Sequence, residues 1–209
     1  MITIDFARSL YPADADSAHD FDHVLRVVNL ADRIAQAEGA NAEIVRAAAL
    51  LHDIGLDQGR AGHETSAANR AKDFLRAHGY AEPFVEAVAH AIESHRFRSG
   101  PTPQTLEAKV LFDADKLDSI GAIGVARAFA FGAHRGQKLW VDVPADYVDP
   151  MDGHEADPHQ HTAVHEFHVK LKKIKARMHT PTGQALAEER HAYMVAFYEQ
   201  LDQEVKGEK

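Results

Sequence analysis

Residues 47–56 read AAALLHDIGL, an unbroken apolar run from Ala47 to Leu51 that ends on two ionisable side chains, His52 and Asp53, with Gly55 just behind them. Working outward, Ile44, Ala47, Ala48 and Leu51 recur at three- and four-residue steps, so the spacing predicts a helix over 41–51. A lone imidazole and carboxylate at the end of such a helix cost free energy unless something pairs them. Two pairings are open. A divalent metal ion is one, and a mixed His and carboxylate donor set suits Mn, Fe, Co, Ni, Mg or Zn. The other is a helix end at which Asp53 caps a loop and His52 donates to a backbone carbonyl. The dipeptide itself is uninformative, because with 15 His roughly one His-Asp pair is expected by chance. The chain has two, at His19-Asp20 and His52-Asp53, and only the second closes an apolar helix.

The helical period extends along most of the chain. Val24, Val27, Val28, Ala31, Ile34 and Ala35 give one face of a helix over 21–38, and Gly39 supplies the left-handed residue that ends it. Further helices are expected over 64–77, stopped by Gly79, and over 83–95, opened by Pro83. A pair follows over about 104–117 and 119–131. Residues 132–161 break the pattern with Gly132, Gly136, Pro144, Pro150, Gly153 and Pro158. They read as one long loop, with a short strand at 139–143 as its sole candidate for regular structure. Helices over about 162–178 and 182–205 close the chain, with Thr180-Pro181 as cap and first-turn signal between them. The expectation is an all-α fold in one domain spanning 1–209. Its core covers about 19–131 and its C-terminal helical extension about 162–205.

Composition sets limits on chemistry. The chain has 209 residues, 45% of them apolar, enough for a buried core. Its net charge of −9 argues against a nucleic-acid polymer as partner, since such binding relies on Lys and Arg neutralising phosphates. A small phosphorylated molecule held through a metal is compatible with that charge. With no cysteine, disulfides, cysteine zinc sites, iron–sulfur clusters and thiol catalysis are excluded. No stretch has the roughly 20 apolar residues of a membrane span, and MITIDFARSLYP lacks a signal-peptide core. The reading is a soluble, cytoplasmic protein with no membrane partner; its oligomeric state is not legible.

Two further stretches carry ionisable residues in apolar settings. DADKLD, residues 113–118, sets three aspartates around Lys116, flanked by Val110, Leu111, Phe112 and Ile120. Carboxylates so close repel unless a cation lies among them. HDFDHVLRVVNLA, residues 19–31, puts His23 early in an amphipathic helix with Arg26 one turn on. In sum, His23, the His52-Asp53 pair after an apolar helix and Asp115 within ADKL resemble the HD-domain superfamily of metal-dependent phosphohydrolases. The resemblance extends through GHETSAANRAKDFL at 62–75, GAIGVARAF at 121–129 and the tail from Ala163 to Leu201. It is to a stand-alone bacterial subfamily, some members of which hydrolyse nucleoside triphosphates.

That resemblance implies an HD-type helical domain in which His23, His52, Asp53 and Asp115 hold a divalent metal ion. It implies hydrolysis of a small phosphorylated substrate, a nucleotide by preference, by metal-activated water. Lys116 and Arg26 become candidate phosphate-binding cations, and Lys116 the candidate for stabilising transition-state charge. His63 and His95 fall in the interval where family members contact phosphate or a second metal, and His90 is expected to pack on its helix. The branches acting on alarmones or deoxynucleotide monophosphates carry an acid three residues after the His-Asp aspartate. Leu56 stands there, which disfavours those activities and leaves Asp57, His95 or bulk water as the general acid/base. His154, His159, His161, His165 and His168 read as a solvated loop and helix start rather than a second metal site. The run Lys170, Lys172, Lys173 and Lys175 reads as a solvated face. Two other functions share these features: a di-iron oxygenase on the same scaffold, which needs extra His ligands, and a non-catalytic metal or nucleotide sensor.

Overall fold

The computed structural model describes residues 2–11, 21–54, 63–97, 100–144, 146–147 and 161–209. Asp57, His154 and His159 lie outside the described residues. Nine α-helices and one 3₁₀ helix occur among those described, with no strand: α1 Ile4–Arg8, α2 Phe21–Glu38, α3 Ala42–Leu51, α4 His63–Ala77, α5 Glu82–Glu93, α6 Leu106–Leu117, α7 Gly121–His134, α8 Ala163–Val169, the 3₁₀ helix Leu171–Arg177, and α9 Pro181–Lys206. The all-α expectation holds. The short strand at 139–143 does not form; among the described residues there is no strand beside that run to share backbone hydrogen bonds.

Two compact units emerge, Met1–Lys116 with Met178–Gly183, and Leu117–Arg177 with Gln184–Lys209. The first is built from α2 to α6 around a buried apolar set that includes Val24, Val27, Ile34, Leu50, Leu51, Leu75, Ile92, Leu111 and Phe112. Local signals set its element ends. Asn41 caps α3 by accepting from the Glu43 and Ile44 amides, and Gly39 and Gly79 take positive φ of 75° behind α2 and α4. Helix α5 stops at Glu93, two residues short of the predicted end, so His95 lies just beyond it.

Within this unit Asp113 has a structural task. Its carboxylate accepts from the His179 amide at 2.9 Å and from the Thr180 amide and hydroxyl at 2.8 and 2.7 Å. The Thr180 hydroxyl in turn accepts from the Gly183 amide at 3.0 Å, capping α9 as its sequence predicts. A Cβ on Gly183 would fall 2.3 Å from Asp113 Oδ2, so only glycine fits there.

In the second unit, α7 runs to His134, three residues beyond the predicted end. A single internal glycine costs a helix only about 1 kcal/mol, and Gly132 is carried through; Gly136, at φ 65°, follows its C-terminal cap. The predicted helix over 162–178 is instead two pieces. Lys170 leaves helical geometry at φ −130° and ψ −57°, and the chain continues as a 3₁₀ helix. Its three-residue turn eclipses positions i and i+3, which stacks Leu171 and Ile174 on one buried face. Asp118, buried, pairs with Arg127 at 2.7 Å.

Candidate metal centre

Five elements of the first unit deliver the ionisable residues to one buried place. His23 stands in the first turn of α2, and Asp115 and Lys116 stand in the last turn of α6. His63 opens α4. His52 is the residue directly after α3, and His95 is the second residue after α5. Both use the same local device, in which ring Nδ1 donates to the carbonyl three residues back: Ala49 for His52, at 2.8 Å, and Ile92 for His95. Those carbonyls belong to the final helical turn, where acceptors lack an amide four residues on within the helix. A carbonyl can only accept, so in each neutral ring the proton sits on Nδ1 and the Nε2 lone pair is left for the site.

The ligating atoms fall into two groups. His23, His52 and Asp115 each offer an atom within 4.8 Å of the others, and so do Asp53, His63 and His95. His23 Nε2 is 3.4 Å from His52 Nε2 and 3.5 Å from Asp115 Oδ1. Asp53 touches both groups through different oxygens. Its Oδ2 lies 3.4 Å from His52 and 3.8 Å from His23, while its Oδ1 lies 3.6 Å from His63 and 3.8 Å from His95, all to Nε2.

Electrostatics keep Asp53 and Asp115 ionised and His95 neutral, as cation ligation needs of those three. Burial pushes the Asp53 carboxyl up, but the imidazoles of His52, His23 and His95 outweigh it and hold the group well below the usual carboxylate range. Asp115 is likewise lowered against its burial, chiefly by Lys116 and then by His95, His23 and His52. Burial drives His95 down to about 4, so it is neutral at physiological pH. Two carboxylates and several imidazole lone pairs converge where three of the histidines, His23, His52 and His95, are at most 2% exposed. This is a donor set that fits a divalent cation.

Of the residues singled out in the sequence, His23, His52, Asp53, Asp115, His63 and His95 come together. Lys116 Nζ pairs with Asp115 Oδ2 and lies 5.7 Å from the Phe112 ring centre. Arg26 is half-buried on α2, one turn beyond His23. His90 instead accepts from the Gln104 amide at 3.2 Å, tying α5 to the segment ahead of α6. In the second unit, His161 pairs with Glu166 at 2.9 Å, His165 bonds within the Thr162 cap, and His168 contacts Lys172. Lys170 pairs with Glu166, and Lys175 with Glu188.

Two neighbours of the centre carried no signal in the sequence. Tyr11 donates its hydroxyl to the Leu50 carbonyl at 3.0 Å, bracing the turn that carries His52. Glu64, only 7% exposed, takes both contacts of Arg96 Nη1, at 2.9 and 3.2 Å. Burial raises the Glu64 carboxyl, but its own amide, Arg96 and His63 overcome that and leave it below its ordinary value.

Comparison with known proteins identifies the family and the fold. The HD domain family model matches residues 20–120. The Bacillus subtilis protein YpgQ is 35% identical over 198 residues, covering 93% of this chain and 88% of YpgQ. The structure of YpgQ in complex with ADP aligns with a TM-score of 0.73 at 32% identity, covering 98% of this chain and 99% of that one. A Lactobacillus plantarum protein of known structure gives a TM-score of 0.79 at 33% identity, covering 99% of this chain and all of that one. An HD-superfamily hydrolase from Bacillus thuringiensis gives 0.72 at 31% identity, with 97% and 94% covered. The chain belongs to the HD-domain phosphohydrolase superfamily.

Proposed function

We propose that this chain is a metal-dependent phosphohydrolase that uses water to cleave a small phosphorylated molecule, a nucleotide by preference. The observation that carries the reading is the buried convergence of His23, His52, Asp53 and Asp115 in a chain of this superfamily. The two donor groups sharing Asp53 support a site for two ions, one at each carboxylate oxygen. The nucleotide preference draws on YpgQ, whose structure was solved with ADP.

A bound divalent ion supplies a lowered pKa for water and polarisation of a phosphoryl oxygen. The chain's own residues do the rest. The Nδ1 bonds of His52 and His95 fix their rings with Nε2 toward the site. Lys116, 9% exposed beside Asp115, exchanges its carboxylate partner for a phosphoryl oxygen and offsets the charge that grows on it. In this two-ion reading His63 and His95 ligate the second ion, so Arg26 is the further phosphate contact. Asp57, outside the described residues, or bulk water then takes the proton from the attacking water. With one ion only, the free Nε2 of His95, neutral through burial, takes that proton and His63 meets phosphate.

The test is a panel of phosphorylated metabolites, including nucleoside mono-, di- and triphosphates, offered to the Mn- or Co-loaded protein with products identified by mass spectrometry. Hydrolysis that disappears in His52→Ala is expected. Metal-loaded protein that binds ADP without turning over any member of the panel would instead make it a sensor. A second reading has one observation in its favour: His63 and His95 on Asp53 provide the extra imidazoles that a di-iron oxygenase requires. Two irons per chain with oxygen consumption, and no phosphohydrolysis, would select it.

A further inference from the structure

We propose that the Glu64–Arg96 ion pair is a clamp that positions the second donor group, Asp53, His63 and His95, and thereby governs binding of the second divalent ion; this rests on the two-ion reading given above. Each histidine of that group is followed directly by one member of the pair. His63-Glu64 opens α4, and His95-Arg96 follows the end of α5. The ion pair therefore joins the two backbone stretches that carry the imidazoles, at the residues adjacent to them.

The geometry makes Glu64 a positioning residue rather than a ligand. Its atoms belong to neither donor group. Its Oε2 lies 3.5 Å from His63 Nδ1, on the far side of the ring from Nε2, which faces Asp53 Oδ1 at 3.6 Å. A carboxylate behind an imidazole fixes the ring's orientation and strengthens the opposite nitrogen as a ligand. His95 has a backbone carbonyl behind it instead, but α5 has already ended at Glu93. No helical ladder then holds the peptide that carries Arg96, so the ion pair supplies an anchor there. The His63 and His95 ring centres are 5.6 Å apart, and metal–ligand distances tolerate only about 0.2 Å. Slack between the two stretches would cost affinity at this group first. The other group, on α2, α3 and α6, does not depend on the pair.

The test compares full-length wild type, Glu64→Gln, Arg96→Met and Arg96→Lys, each titrated with Mn(II). Ions per chain are counted, and paramagnetic resonance separates coupled from isolated Mn. Wild type should bind two ions with a coupled spectrum. Glu64→Gln and Arg96→Met should keep the first affinity and weaken the second roughly 10–100-fold, giving an isolated-ion spectrum at low Mn. Arg96→Lys should recover most of the loss. Arg96→Met keeps the test available if Glu64→Gln fails to fold, because Arg96 is half-buried on the outer side of the pair. Second-ion affinity within twofold of wild type in these variants, or equal weakening of both ions, would overturn the clamp. Wild type that binds one ion, lost in His52→Ala, would defeat the two-ion reading and the clamp together. Wild type that binds two ions, with variants that bind both at wild-type affinity, would defeat the clamp alone.

Discussion

Asp115 Oδ1 and His23 Nε2 meet at 3.5 Å, and this contact separates Asp115 from the two other aspartates of DADKLD. Asp113 is committed to the His179–Thr180 backbone, and Asp118 to Arg127. Asp115→Asn should therefore strip metal while the fold persists, because an amide is a poor substitute for an anionic ligand. Asp113→Asn and Asp118→Asn should keep their metal and lose about 1–3 kcal/mol of stability. Metal content by mass spectrometry and urea unfolding on the same preparations check both halves. Equal metal loss in all three would show that the helix, not a ligand, had been damaged.

Gly183 is a point of strict steric demand. The Cβ of Gly183→Ala would press on Asp113 Oδ2 and on Thr180 Oγ1 at 2.3 and 2.8 Å. The carboxylate must shift and give up part of its bonding to Thr180, at a cost of about 1–3 kcal/mol. A lowered Tm with unchanged metal content is expected. A Tm equal to wild type would mean that the start of α9 moves freely.

Much of this arrangement is legible from residue order, and what is not has physical causes. An apolar run that ends on His52-Asp53 points to a buried polar site because burying such a pair alone is expensive. Spacing does not choose among Asp113, Asp115 and Asp118, since a helix presents all three within two turns; the family resemblance is what points to Asp115. The Glu64–Arg96 pair bridges 32 positions, and neither residue stands in an unusual local pattern. Helix α1 has five residues, too few to show a period. The switch from α to 3₁₀ at Lys170 is silent as well, because Leu171 and Ile174 satisfy the three-residue step of either helix.

Lys116 offers a direct kinetic test. If it meets phosphate during turnover, Lys116→Ala should leave fold intact and lower turnover per bound metal roughly 10²–10³-fold. If its sole task is to neutralise Asp115, with which it pairs, the loaded enzyme should turn over normally per metal. Kinetics and metal content measured on one preparation separate the two. Near-normal turnover per metal would remove Lys116 from the reaction.

The metal-free protein should lose stability as pH falls from about 6.5 to about 4, and His95 should account for much of the loss. Burial holds its folded pKa down to about 4, against an ordinary 6.5. Above 6.5 neither state binds a proton there. Between the two values the unfolded chain binds one and the folded chain does not, so unfolding grows more favourable with each added unit of acidity. Over that window the effect is up to roughly 3 kcal/mol. His165, His168 and His191, also lowered by burial, act in the same direction. Asp53 and Asp115 sit below their ordinary values, so their stabilisation is lost at lower pH, beneath the usual carboxylate range. Urea unfolding in chelator at pH 8 and pH 5 measures the difference, and His95→Gln should flatten it. The same slope in His95→Gln and wild type would show that the buried imidazole at the end of α5 is not what the acid titrates.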